Sequence, residues 1–211
     1  METSLELTIE EFKKLDMREV CQNSGAILKE NSEGQVIVIK FLSSEYSITC
    51  AMNRTATNYL PDIEITSAQE KVGTETKITI LHYLITSKAS KGTPLTGKLV
   101  DFRQVPGGNF YYSTLIKLVH KPFLETFGEK PQVFVSAGKS IGGNEADFKD
   151  FSMKFQVFPN VPVTVVLYKG DEEFPPDCKF LFDSNIADYL SAEGILKACE
   201  ELIKKLRRDS G

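Results

Sequence analysis

The sequence predicts an α+β protein in which several helices pack on a mainly antiparallel sheet, with residues 1–211 forming a single domain. Two observations support this fold class. Stretches in which apolar and polar residues alternate have the period of half-buried strands, and other segments have the apolar spacing of helices. The content of 41% hydrophobic and 26% charged residues is typical of a globular chain, and no linker or low-complexity tract divides it.

The first predicted elements are two helices. Thr8 and Glu11 have the spacing of a capping box, which predicts that a helix begins at Thr8. A second, short helix is expected from Asp16 to about Asn23. Gly25 follows it and favours a helix end, because glycine adopts the left-handed conformation at little cost.

A meander of strands is expected next. Residues 26–30 and 35–41 have strand composition, and the turn-forming residues 31–34 between them predict a hairpin. In residues 46–52, larger apolar side chains alternate with Ser, Thr and Ala, which is the pattern of a half-buried third strand. Residues 53–73 are mostly polar and are predicted to form a loop.

Three helices are predicted in the middle of the chain. The first spans about 74–88, where apolar residues recur at helical spacing. The second spans about 113–127 and is interrupted near Pro122, because proline has no backbone N–H to donate. The third spans 131–141, with a proline in its first turn and two glycines after its end.

The last third of the chain predicts two strands and a helix. Residues 151–157 alternate between apolar and polar, and residues 163–168 are apolar on both faces except at Thr164, which predicts a central strand. Ser191 predicts the start of the C-terminal helix. The predicted buried face of this helix contains Ile195, Leu196, Cys199, Leu202, Ile203 and Leu206.

Charge and cysteine content argue against several classes of function. The net charge of -4 argues against nucleic acid as a partner, because phosphate binding needs concentrated Lys and Arg. The single dense basic run, residues 204–208, is interpreted as complementing the dipole of the last helix. The four cysteines have no close spacing, so they predict no metal site. Without a leader-like start or an apolar run of membrane-spanning length, we expect no membrane partner and a cytoplasmic protein with reduced thiols.

The most distinctive loop follows the predicted central strand. Its acidic residues, Asp171, Glu172 and Glu173, precede Phe174 and two prolines that restrict the backbone. Side chains of this kind bind a cation or a basic partner, or supply a general acid. The alternative is a solvated turn in which Asp171 accepts hydrogen bonds from nearby backbone amides.

A second loop, residues 102–112, contains adjacent glycines followed by tyrosines. Gly107 and Gly108 would let backbone amides approach a ligand closely, and the helix start just after them favours an anion. Tyr111 would stack on a flat ring, and Arg103 would bind a carboxylate through two nitrogens. The alternative is a tight turn with packed tyrosines. Because both loops follow strands, we expect them to lie close together at one end of the sheet.

Two histidines are candidate axial ligands of a metallocofactor, because imidazole is a common metal ligand. His82 lies between Leu81 and Tyr83 in an apolar segment, and His120 lies near Pro122. Neither histidine has a second ligand at a suitable spacing. The alternative for each is therefore a packed interior side chain.

Several short segments form a recognisable series. The most specific is LYKGDEEFPP at residues 167–176. The others are ILHYL (80–84), TPLTGK (93–98), FR, PGG and a tyrosine within 102–111, FG (127–128) and LFD (181–183). Together they resemble a bacterial and archaeal family, domain of unknown function thirty-seven eighty-six, over nearly the whole chain.

Members of that family are typical of anaerobes, and some are associated with an iron–sulfur domain like that of corrinoid proteins. The resemblance therefore implies a non-catalytic cofactor-binding or accessory protein of anaerobic metabolism. It implies a tetrapyrrole, corrinoid or haem, as the ligand and a redox or corrinoid protein as the partner. His82 belongs to one of the resembling segments and is the expected metal ligand. Two alternatives stay open: a small enzyme that uses the acidic loop 171–173 with Arg103, and a pure protein-interaction module.

Overall fold

The computed structural model describes residues 2–31, 34–51, 62–69, 71–148 and 150–210, and it confirms the α+β fold class. The helices are α1 (Glu2–Phe12), α2 (Met17–Ser24), α3 (Thr74–Ser90), α4 (Gly108–Leu115), α5 (Lys121–Phe127), α6 (Pro131–Ser140) and α7 (Ala192–Arg208). The strands are β1 (Ile27–Asn31), β2 (Gly34–Phe41), β3 (Ser44–Ala51), β4 (Asp62–Thr66), β5 (Leu99–Asp101), β6 (Asn144–Glu145), β7 (Phe151–Phe158), β8 (Val161–Tyr168) and β9 (Asp177–Asp183).

The first sheet is an antiparallel meander in the order β1-β2-β3-β4. The predicted pairing of the first two strands is confirmed, while residues 32–33 of the predicted hairpin turn lie outside the described residues. The predicted loop at 53–73 is wrong in part, because β4 pairs with β3 and places Ile65 opposite Ile48. Both isoleucines are buried, and their burial favours a strand within this mostly polar stretch. Residues 52–61 and 70 lie outside the described residues.

The second sheet is also antiparallel and has the order β5-β9-β8-β7-β6. The predicted central strand is confirmed, because β8 lies between β7 and β9 and is buried along all but its last residue. Strand β9 follows the acidic loop and pairs on its other edge with the short β5. This arrangement brings the residues around 100 next to those around 182.

The two sheets share one hydrophobic core. The backbone N–H of Leu42 donates to the carbonyl of Val157 at 2.8 Å, which joins the end of β2 to β7. The ring of Phe158 stacks on Phe41 on one sheet, with centroids 4.5 Å apart, and on Tyr83 of α3 at 4.1 Å. Buried side chains from both sheets and from the helices form a single contiguous cluster.

Helix α1 begins earlier than the sequence predicts. Thr8 lies inside it and donates from its hydroxyl to the Ser4 carbonyl one turn back, at 2.8 Å. The predicted capping box at Thr8 is therefore wrong, because a buried threonine within a helix bonds to the preceding turn. Helix α2 is confirmed with both its boundaries. Asp16 accepts the first N–H groups, and Gly25 ends the helix at φ 74°.

Helices α4 and α5 form one long helix joined by a π-helical turn over residues 116–120. It begins before the predicted start, and the predicted interruption near Pro122 is confirmed. The N–H of Lys121 donates to the Ile116 carbonyl five residues back, as in a π turn. Pro122 has no N–H to donate, so this wider turn joins α4 to α5. The turn places His120 in the interior.

Helix α7 confirms the most regular pattern in the sequence. The Ser191 hydroxyl accepts from the Gly194 N–H at 3.1 Å, and all six residues of the predicted face are buried. Helix α3 starts at the predicted residue and packs against α1, α2 and α7. Within the described ranges, no helix combines the length and the apolar character needed to cross a membrane.

Candidate functional site

Arg103 lies in a short 3-10 helix directly after β5. The Oδ1 atom of Asp101 accepts from the backbone N–H of Arg103 at 3.0 Å and from its Nε at 3.1 Å. The guanidinium carbon of Arg103 lies 4.7 Å from the centroid of the Tyr112 ring. Tyr111 packs edge-on against Phe110, which is 82% exposed. The two partners of Arg103 thus come from its own surroundings, not from the acidic loop.

Gly107 and Gly108 form the turn that leads into α4. Gly107 has φ 78°, in the left-handed region that favours glycine. A Cβ atom on Gly108 would clash with the carbonyl oxygen of Phe102. The N–H of Gly108 donates to the Val105 carbonyl at 2.8 Å, so it is already used within the turn. These contacts fit the tight-turn alternative and account for both glycines without a ligand.

The acidic loop connects β8 to β9. The Asp171 carboxylate accepts from the N–H of Phe174 at 2.8 Å and from that of Glu173 at 2.9 Å. These hydrogen bonds, with that of Phe174 foremost, hold the pKa of Asp171 below its usual range. Glu172 and Glu173 are exposed and form no ion pair with any described residue. The geometry is that of the solvated turn.

The two loops leave the same end of the second sheet. Strand β9 is antiparallel to both β8 and β5, so the acidic loop after β8 and Arg103 after β5 emerge on the same side. No hydrogen bond or ion pair among the described residues joins Arg103 to residues 171–174. Each loop is held by its own contacts, and a catalytic pairing of the two has no direct contact to support it.

His82 lies on α3, with its Nε2 atom 3.4 Å from the Thr8 hydroxyl. The cavity beside it measures about 310 Å³. Its described lining consists of Ser4, Glu75, Ile78, Thr79, His82, Glu193, Gly194 and Lys197. This lining places the two carboxylates of Glu75 and Glu193 and the ammonium group of Lys197 beside His82. No contact of His82 tests it as the ligand of a tetrapyrrole, so that role stays a prediction.

His120 is only 8% exposed and stacks on Phe180 with ring centroids 5.2 Å apart. Burial lowers the pKa of His120 below its usual value, although the charges of Asp177 and Asp101 act in the opposite direction. Its Nε2 atom has no hydrogen-bond partner among the residues that the structure describes. Within the same residues, no group of three or more His, Cys, Asp or Glu is arranged to hold a metal ion.

A cleft that the sequence analysis missed lies between the first sheet, the segment before α3 and the end of α7. Its volume is about 550 Å³. Its apolar surface comes from Phe41, Leu42, Tyr46 and Val72. Its polar surface comes from Lys71, Thr76, Glu201, Lys204, Lys205, Arg207 and Arg208. We call this cavity the basic cleft.

The cations of the basic cleft are held in part by neutral and acidic partners. Lys205 donates from Nζ to the Ser44 hydroxyl at 2.8 Å, and Lys204 lies 2.7 Å from a carboxylate oxygen of Glu201. Burial lowers the pKa of Lys204, but its hydrogen bond to Glu201 and nearby carboxylates raise it more, so its pKa lies above the usual value. Lys204 is therefore charged at neutral pH. With apolar side chains beside cations, the cleft is suited to an organic anion.

The basic run at residues 204–208 was the one signal of this cleft in the sequence. Its position also fits the interpretation that it complements the helix dipole, because basic residues occupy the last turn of α7. The other walls come from residues 41–46 and 71–76, which are remote in sequence. Because no local pattern links these three segments, the cleft was not predictable from periodicity or motifs.

A comparison with protein families gives a match over most of the chain. The family model described as Domain of unknown function (DUF3786) matches residues 16–205. The match includes both sheets and most of the basic cleft, while α1 and the end of α7 lie outside it. No curated protein and no solved structure matches this chain.

Proposed function

This chain belongs to the DUF3786 family, and we propose that it is a non-catalytic, cofactor-binding accessory protein of anaerobic metabolism. Its ligand is an organic anion, with a tetrapyrrole, haem or corrinoid, as the first candidate. The site is the basic cleft. The observation that carries the proposal is one cavity of about 550 Å³ that combines apolar and cationic side chains. That volume is within the range of ~300–1,000 Å³ typical of ligand pockets.

The chemistry of the candidate ligands matches the two surfaces of the cleft. Haem presents a flat apolar ring with two carboxylates at one edge, and a corrinoid such as cobalamin carries a phosphate. An apolar ring would pack on the half-buried Leu42 and Val72, while acidic groups would bind the exposed Lys71 and Arg207. The described lining contains no histidine, so binding here relies on apolar contact and charge. The net charge of the whole chain is -4, whereas the described lining of the cleft contains more cations than carboxylates.

Binding is favoured over catalysis by the contacts of the two loops. The carboxylate of Asp171 is engaged by backbone amides, and Arg103 by Asp101 and Tyr112. A general acid and a carboxylate-binding arginine would have to face a common space to act on one substrate. The basic cleft already provides such a space for binding, without any rearrangement of the loops.

An accessory role implies a second protein that delivers or receives the cofactor. We propose a redox or corrinoid protein for this partner and the cytoplasm as the location. Support comes from the four cysteines Cys21, Cys50, Cys178 and Cys199, which are free and buried. Unpaired thiols fit a reducing compartment.

Titration of the purified protein with haem and with cobalamin, followed by visible absorbance and calorimetry, tests the proposal. Replacing Lys71 and Arg207 together by Gln should weaken binding roughly tenfold to a hundredfold, because two favourable charge interactions are lost. A matched double variant, Lys98→Gln with Lys117→Gln, removes two exposed cations outside the cleft and should bind like the parent.

The same titration separates the cleft from the histidine site expected from the sequence. With the cleft as the site, His82→Ala should leave the affinity and the absorbance spectrum unchanged. Loss of the spectrum in His82→Ala, together with normal binding in the cleft variant, would refute the cleft and restore His82 as the ligand. Lack of saturable binding of both haem and cobalamin to the parent would refute the tetrapyrrole.

A further inference from the structure

A carboxylate lies within the basic cleft, and its position is unusual for a site that attracts anions. Glu201 lines the cleft, and its side chain is only 19% exposed. Its Oε1 atom is 2.7 Å from Nζ of Lys204, one turn further along α7. Its Oε2 atom accepts from the Thr76 hydroxyl of α3 at 3.3 Å. Two helices therefore hold this carboxylate in place.

Building on the proposed function of the cleft, we propose that Glu201 is an internal counterion that lowers the affinity of the cleft for its anionic ligand. In the ligand-free protein it offsets the repulsion among cations at the end of α7. When an anion enters, the same carboxylate becomes a like charge a few ångströms away and repels it. The residue thus stabilises the empty cleft and weakens the filled one.

Glu201 acts on the ligand through Lys204 as well as directly. An ammonium group has three donors, and Glu201 occupies one of those of Lys204. The pKa of Lys204 is raised partly by this ion pair, so Lys204 keeps its proton. The negative charge of Glu201 nevertheless lowers the net positive charge of the cleft. The attraction by the cations and the repulsion by Glu201 both grow with the charge of the ligand. Because the cations of the described lining outnumber its one carboxylate, each further negative charge on the ligand adds net attraction. The inferred ligand class is therefore an organic dianion or polyanion.

The test is Glu201→Gln, which keeps the side-chain length and a hydrogen-bonding group for Thr76 while removing the charge. Haem affinity, measured by absorbance titration at low salt, should rise roughly tenfold over the parent. The ligand-free melting temperature should fall by about 1–2 °C, because one i,i+3 ion pair is lost. Glu193→Gln makes the same charge change in the first turn of α7 and should leave haem affinity unchanged.

The outcomes separate this inference from the function it rests on. If the parent binds haem and Glu201→Gln binds equally or more weakly, Glu201 orients Lys204 or supports the helices, and the counterion role is overturned. If Glu193→Gln raises affinity as much as Glu201→Gln, the effect is one of net charge and the inference is again overturned. If neither parent nor variant binds haem, the proposed tetrapyrrole function fails, and the inferred role of Glu201 fails with it.

Discussion

His120 shows how the burial of one side chain changes its chemistry. Its ring stacks on the ring of Phe180 and lies edge-on to the ring of Tyr112, with the centroids of the latter pair 6.5 Å apart. Burial favours the uncharged imidazole and lowers its pKa, while the charges of Asp177 and Asp101 only partly oppose this. Near pH 7 the ring is therefore neutral, and Nε2 remains without a partner among the described residues.

This environment predicts a specific pH dependence of stability. Below about pH 6.5, the value of an unperturbed histidine, the unfolded chain binds a proton that folded His120 does not. The free energy of unfolding should therefore fall as the pH falls below 6.5, until the folded-state pKa is reached. In His120→Leu, which keeps an apolar side chain of similar size, this loss should be smaller. Urea titrations at several pH values between 5 and 8 measure it, and equal losses in parent and variant would contradict the assignment.

Among the elements, α7 is a helix whose stability depends on tertiary packing. Its apolar face is completely covered, whereas its other face carries charged residues. Helices of this kind obtain most of their stability from packing and little from propensity. Four other helices, α3, α4, α5 and α6, pack against α7, so a cavity in its buried face would disturb the packing of all four.

Leu202 tests the packing of this element. It is fully buried in the middle of α7, so Leu202→Ala should leave a cavity that lowers the free energy of unfolding by about 2–5 kcal/mol. Glu193→Ala, at an exposed position of the same helix, should change it by no more than about 0.5 kcal/mol. Denaturant titration followed by circular dichroism compares the two. A Leu202→Ala variant as stable as the parent would mean that Leu202 is not packed in the core.

At the scale of the whole molecule, the two sheets are joined through a small group of aromatic rings. Phe158 at the end of β7 stacks on Phe41 of β2 and on Tyr83 of α3. The Tyr83 hydroxyl donates to the Ser24 carbonyl at 2.7 Å, which connects the same ring to the end of α2. One side chain thus contacts both sheets and is linked through Tyr83 to the helical layer.

Phe158→Ala should accordingly be among the most damaging truncations. The loss of a fully packed ring typically costs about 3–5 kcal/mol of unfolding free energy, and here it also weakens the contact between the sheets. Phe174→Ala is the matched control, because that ring is 67% exposed in the acidic loop and should contribute about 0.5 kcal/mol or less. Equal stability of the two variants in urea would show that Phe158 is not a junction of the core.

The basic cleft is a property of the whole molecule for a different reason. Its walls come from three segments, and the Ser44–Lys205 hydrogen bond spans 161 positions in the chain. The predicted sites, by contrast, were single loops whose residues are neighbours in sequence. In the structure, Asp101 and Asp171 accept hydrogen bonds from backbone amides of their own loops. The cavity lies in another part of the molecule.

Several elements were determined by the sequence alone, because their signals are local. The period of α7, the alternation of β7, the apolar run of β8 and the end of α2 at Gly25 each depend on residues within one element.

Tertiary structure decided the features that depend on partners distant in sequence. Residues 62–66 form a strand because they pair with β3 and because this pairing buries Ile65. Thr8 became helical because α1 packs on α3, and the cations of 204–208 became part of a cleft because the first sheet ends beside α7. Burial and pairing between remote segments are set by the whole chain, so no local pattern contains them.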